Sequence, residues 1–408
     1  MRSLPVAIDA RVGLFFLALV LGGCERLDIV AKREGTVLPD ASNEHSDPAC
    51  ERQGPRTRAG DNRLQLEPGA QGDKTRAFCH ALCVCTDLTA AEQLTTDVFD
   101  SSKDDLRPRP GGGNVAINGA LDSGGVLFDI GGSLAVAGEN GITLARGAEI
   151  RVNQDLEVDA AILTDQAKAL VGGDARIGGD ARLAVLSVEG ILSMPSDSDL
   201  NISETLQIGD RKRELVRVEP PCGCDEGDLL DIAELVKARR GDNDNALLKF
   251  DISDLEYFEG SLRRELPCGR FFLDRMSVEG PLALSITGRA ALYVAGDMAV
   301  QGSLSVDLEP DAELDLYLAG SMLVTGDVMF GSKDSSSRAR LFIGGKGTLE
   351  LKGKNSFSGF IYAPRSLLVI SDVTEVFGSV FVIRVQQDGP LTIHHDLNPL
   401  EAGRDCAE

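Results

Sequence analysis

One pattern of alternation recurs along this chain and constrains it more than any other feature. In Phe128-Asp129-Ile130-Gly131-Gly132-Ser133-Leu134-Ala135-Val136-Ala137-Gly138, apolar or small side chains fall at every second position. That is the period of a strand with one buried face. Leu292-Tyr293-Val294-Ala295-Gly296-Asp297-Met298-Ala299-Val300-Gln301-Gly302 repeats it, with Gly at the same fifth and eleventh places. Leu316-Tyr317-Leu318-Ala319-Gly320-Ser321-Met322-Leu323-Val324-Thr325-Gly326 does so again. Weaker copies start at Ile150, Ala169, Leu200 and Leu341, so the starts lie 22, 19 and 31, then 24 and 25 residues apart. A drifting period of about 20–25 residues, with one strand motif in each, marks a solenoid. The period of 2 inside each unit excludes a helical solenoid. The expected fold is all-β, a parallel β-helix in which each turn lies on the one below, Val, Ile and Leu stack inward and Gly makes the corners. Glycine at 45 of 408 residues and aromatics at 5%, with no Trp, fit a narrow aliphatic bore with many tight corners. A β-sandwich of short meander strands is the competing arrangement. Recurrence of the pattern on both sides of an unlike segment favours the solenoid.

That segment, 211–270, divides the β-helix into a first part, 111–210, and a second part, 271–396, with a tail at 397–408. Within it Leu229, Leu230, Ile232, Leu235 and Val236 recur at helical spacing. Asp225 and Glu226 stand upstream and Arg239-Arg240-Gly241 follow, which is the charge order expected at the ends of a helix. One inserted amphipathic helix is expected, packed outside the solenoid or over an end. Asp242-Asn243-Asp244-Asn245 lacks the Gly and the distal Glu of a calcium loop at the right places and reads as a turn.

The N-terminus carries an export pattern. Arg2 and Arg11 precede an apolar run from Val12 to Leu21, too short to span a bilayer. Leu21-Gly22-Gly23-Cys24 resembles the bacterial lipobox. The resemblance implies cleavage of a 1–23 signal peptide and diacylation of the Cys24 thiol. Glu25, where enteric inner-membrane lipoproteins carry Asp, favours the outer membrane. Residues 24–75 are polar and read as a flexible tether. The formal charge is −23. Loss of Arg2, Arg11 and Asp9 removes a net +1 and leaves −24. So acidic a chain does not suit nucleic acid or an anionic lipid surface. The expectation is an acidic shaft held at one end by lipid.

Eight cysteines remain beside Cys24: Cys50, Cys79, Cys83, Cys85, Cys222, Cys224, Cys268 and Cys406. An even number in an exported chain points to disulfides, and eight allow 105 pairings. The densest group lies in a Cys-rich segment, 76–110. There Cys79, His80, Cys83 and Cys85 could surround zinc, but their spacing only half meets the usual rule. Disulfides are the expectation. Cys222, Cys224 and Cys268 would staple the inserted segment to the body.

The C-terminal third carries a further series: Leu266-Pro267-Cys268-Gly269, the two Leu-Tyr-x-Ala-Gly turns, Phe357-Ser358-Gly359-Phe360-Ile361-Tyr362-Ala363-Pro364, Val376-Phe377-Gly378-Ser379 and Leu391-Thr392-Ile393-His394-His395-Asp396. It resembles an uncharacterised domain of exported, glycine-rich bacterial β-solenoid proteins, found in type IV pilus-associated and related surface proteins. His395 stands where that pattern has Tyr. The resemblance implies a fold and a surface setting, not an activity. The turns are also distantly similar in architecture to bactofilins.

Motifs for chemistry are sparse. No Gly-x-Ser-x-Gly or His-Glu-x-x-His occurs, and Gly326 to Lys333 imitates a phosphate loop with Lys and Ser in the wrong order. His394-His395-Asp396 could form a metal or acid-base cluster, but reads more simply as a polar cap where the last turn ends. Asp174, Asp180, Asp297, Asp307, Asp315 and Asp327 mostly sit beside Gly, where short polar side chains favour turns. Tyr293 and Tyr317 occupy equivalent places in successive turns, as a contact stripe or as a packing pair. The expected function is a membrane-anchored surface lipoprotein with a structural, adhesive or assembly role and no cofactor. Its partners would be the membrane through the lipid, and other envelope or pilus components or polysaccharide. The alternatives are a calcium-dependent binding module and a polysaccharide lyase or hydrolase.

Overall fold

The computed structural model describes residues 78–397, except 104–105, 125–126 and 165, and the backbone of 58–60 and 63–65. The signal peptide, most of the tether and Cys24, Cys50 and Cys406 lie outside the described residues. Arg58–Gly60 and Arg63–Gln65 form a small antiparallel pair. The rest is a parallel β-solenoid of about 13 turns, with 53% strand and 6% helix.

Each turn contributes a strand to each of three faces, here A, B and C. The starts of the sequence motif are true register partners. Phe128 stacks on Ile150 and Ile150 on Ala169 along face C. Leu292 stacks on Leu316 and Leu316 on Leu341 along face A. The irregular 31-residue step hides a turn, because Ala169 pairs with Leu186 while Leu200 pairs with Ala181 on face B. Alternate residues point into one continuous aliphatic core. That core also admits phenylalanine, with Phe330 and Phe357 stacked at 4.3 Å. Corner glycines form a column of their own. A Cβ on Gly302, Gly326 or Gly353 would lie 2.5–2.6 Å from the backbone of the glycine one turn away, so the strands could not stack at their normal spacing.

The order of turns in space is not the order in sequence. Leu391–Asp396 ends face C of the second part, and the chain's first body strand, Leu82–Val84, takes the next place on face A. Leu82 pairs with Val380, Leu88 with Val385, and Leu94 through Phe99 with Leu391 through Asp396. The two parts are thus one stack, joined at a seam between residues about 300 apart in sequence. The Cys-rich segment is itself a turn, so the first part begins at Leu82 rather than 111. Residue 78 lies at mid-length, not at an end of the stack.

The two ends of the stack are different. At one, Leu255 is fully buried and Leu248, Phe250, Ile252 and Phe258 pack over the core, closing it. At the other, Leu200–Arg213 is exposed and ends the stack. Arg211 and Arg213 stand there over Leu192 and Met194, and inward charges of this kind discourage edge-to-edge pairing. Residues 214–257 connect the two ends as a strap along the outside of face A.

Candidate functional site

The strap covers a second core. On the outer side of face A, Phe272, Tyr293, Tyr317, Phe342, Tyr362 and Phe381 occupy register-matched places on successive turns. Tyr293 and Tyr317 stack at 4.9 Å, and Tyr317 and Phe342 at 4.7 Å. Leu230, Ile232 and Val236 of the strap lie on this column. Tyr293 and Tyr317 are 1% exposed. The suggested contact stripe is therefore a packing column, because the strap removes it from solvent. Burial raises the Tyr293 phenol above its ordinary range.

The expected helix is shorter than its apolar spacing implied. It spans Ile232–Ala238, and Asp231, not Asp225 or Glu226, accepts the capping N–H of Glu234. Asp244 and Asn245, read as a turn, bond the backbone of Arg270 and Phe272 and fix the strap to the closed end.

The next place in the aromatic column is Cys83, which stacks on Phe381. It is bonded to Cys222, and Cys85 to Cys224. Two of the clustered cysteines expected to prefer disulfides over zinc are thus used to pin the strap at mid-shaft. Cys268 is also disulfide-bonded, and Cys79 takes no part in the two bridges. Among the described residues, no group of three or more His, Cys, Asp or Glu is placed to hold a metal ion.

The His-His-Asp run lies in the seam, not at a cap. His394 meets Asp97 at 2.6 Å and Glu375 at 3.2 Å and stacks on Phe377. His395 bonds the Phe78 carbonyl, and Asp396 accepts from Ser101 and Ser336. Burial pulls the His80 imidazole down to about 4; His395 pushes the same way and a hydrogen bond to the Pro221 carbonyl opposes them. Burial lowers the His395 imidazole as well.

The turn carboxylates act as corner caps. Asp174, Asp180, Asp297 and Asp327 each accept a backbone N–H from the following turn. Asp307 accepts from the Ser305 hydroxyl. Asp315 is buried against Arg340 at 2.5 Å; burial pushes its carboxyl up and Arg340 pulls against it. None of these groups converges on a shared open site.

A cleft of about 380 Å³ does lie open, at the corner between faces A and B beside the seam. Thr86, Glu226, Lys346, Arg365, Leu367, Ile383 and Arg384 line it. Three cations thus gather on a chain whose charge is −23. Lys346, Arg365 and Arg384 come from the same corner of successive turns. The Arg365 guanidinium donates to the Leu230 carbonyl at 3.2 Å and to Glu226 at 2.6 Å. Arg384 reaches Asp87 at 3.3 Å. Glu226 belongs to the strap, two residues beyond bridged Cys224. Sequence reading missed this site, although the cations recur 19 residues apart, one turn at a time.

Residues 227–400 match a domain of unknown function, DUF7305. The match starts inside the strap and ends just past the seam, so the turns from 82 to 213 extend the same stack beyond it. No curated protein and no solved structure matches the chain.

Proposed function

We propose that the protein is a lipid-anchored scaffold of the bacterial cell envelope, with a structural, adhesive or assembly role and not a catalytic one. The observation that carries this reading is the fate of the side chains able to perform chemistry. The histidines of the C-terminal run are engaged in the seam, and the corner carboxylates hold backbone N–H groups of neighbouring turns. A rigid stack, braced by a bridged strap, supports a load-carrying or presenting role. Attachment through Cys24 to the outer membrane, and other envelope or pilus components or polysaccharide as partners, belong to the same proposal.

Cell fractionation tests it. Cys24→Ser is expected to move the protein from the membrane to the soluble fraction, and persistence in the membrane overturns the anchor. A panel of polysaccharides is expected to yield no products. Product release abolished by substituting one acidic cluster overturns the non-catalytic reading.

A further inference from the structure

The mid-shaft cleft has the chemistry of a binding site. Leu367 and Ile383 give it an apolar wall, and Lys346, Arg365 and Arg384 supply three cations. Strands in neighbouring turns lie about 4.8 Å apart, so like charges at one corner of successive turns repel unless anions stand between them. The protein supplies one such anion from the strap. Glu226 sits on Arg365 at 2.6 Å, with its carboxylate 74% exposed. Arg365 and Lys346 hold that carboxyl below its usual range. Arg384 is 55% exposed, and its hydrogen-bonded pair with Asp87 at 3.3 Å joins two half-exposed side chains, of the kind that stabilises little. The cleft therefore has more cation than it uses, with one arginine fork presented to a carboxylate.

We propose that this cleft binds an oxyanion of an envelope ligand, a uronate carboxylate or a phosphate, and that Glu226 is its built-in competitor. The incoming group displaces Glu226 from Arg365 and is held between Arg365, Lys346 and Arg384, while the body of the ligand covers Leu367 and Ile383. The Cys85–Cys224 bridge keeps the competitor at the site. The inference rests on the scaffold reading above and supplies it with a ligand class.

Calorimetric titration of the mature chain tests it, with oligogalacturonate, inorganic phosphate and a neutral oligosaccharide as probes. Glu226→Gln removes the competing charge and is expected to tighten anion binding on the order of tenfold. The exposed pair Lys346→Ala and Arg384→Ala is expected to weaken it by as much, with an unchanged thermal melt. Arg365 is left intact because it also holds the Leu230 carbonyl. Preference for oligogalacturonate assigns the carboxylate source, and preference for phosphate the other. Absence of anion binding in Glu226→Gln, or binding indifferent to loss of both cations, overturns the proposal. That failure leaves the scaffold reading intact, whereas turnover of a bound oligogalacturonate defeats the scaffold reading and leaves the site standing.

Discussion

At the scale of the residue, polar groups in this chain serve the stack. Asp297 illustrates it: its carboxylate accepts the Ser321 N–H at 2.7 Å, so a side chain that pattern alone could assign to a carboxylate site acts as a corner cap. The buried imidazoles respond to pH. His80 and His395 are held neutral, with pKa values below the ordinary 6.5, that of His80 at about 4. Between those limits the unfolded chain binds protons that the folded chain refuses, so stability falls as pH drops through the window and is complete above it. His80 touches the strap through Pro221 and lies beside His395 of the last turn. Acid therefore loosens the seam and the strap together. Chemical denaturation from pH 7 to 5 is expected to show a declining midpoint, with a shallower decline in His80→Gln. An equal slope in that variant contradicts the assignment. The inward residues and the corner glycines were legible because each turn repeats the same steric problem. The roles of His394 and Asp396 were not, since their partners Asp97 and Ser101 come from the far end of the chain.

At the scale of the element, the strap is the least legible part. Its helix was visible from Ile232 and Val236, but its length was overstated, because the apolar spacing at Leu229 and Leu230 serves docking on the aromatic column rather than helix. The tyrosines were ambiguous for a related reason. Alternation places them outward, and only the strap decides whether outward means exposed. The paired bridges explain how a segment with only two short helices, Ile232–Ala238 and Ser253–Glu256, stays in place. Each closes a loop of 139 residues, and a loop of that length is stabilised by about 5 kcal/mol in the chain-entropy treatment. The two loops are nearly the same loop, so the contributions do not add. Breaking one bridge with Cys85→Ser and Cys224→Ser is expected to cost little, and breaking both on the order of 5 kcal/mol. Freed of the strap, the Tyr293–Tyr317 column also becomes able to bind a hydrophobic dye. Additive losses, or a doubly reduced protein that binds no dye, contradict this account.

At the scale of the whole molecule, the main result is the closure of the chain's last turn on its first. Sequence periodicity defines which residues point inward and how turns follow one another locally. It carries no information about which turn lies beside the first, because the stacking of Leu82 on Val380 is chemically the same as that of Leu82 on Val115. The described body begins at mid-length, with a closed end and a charged end on either side. The seam, the bridges and the cationic cleft all meet at that point. Thr95 and Thr392 are register partners across the seam on outward positions, at a spacing within the disulfide range of about 4.4–6.8 Å. Glu375 lies one turn further away. The direct test is oxidation of Thr95→Cys/Thr392→Cys beside Thr95→Cys/Glu375→Cys, read by mass spectrometry of the linked peptides. A 95–392 link and no 95–375 link are expected; absence of the first, or equal yield of both, contradicts the closure of the stack at the seam.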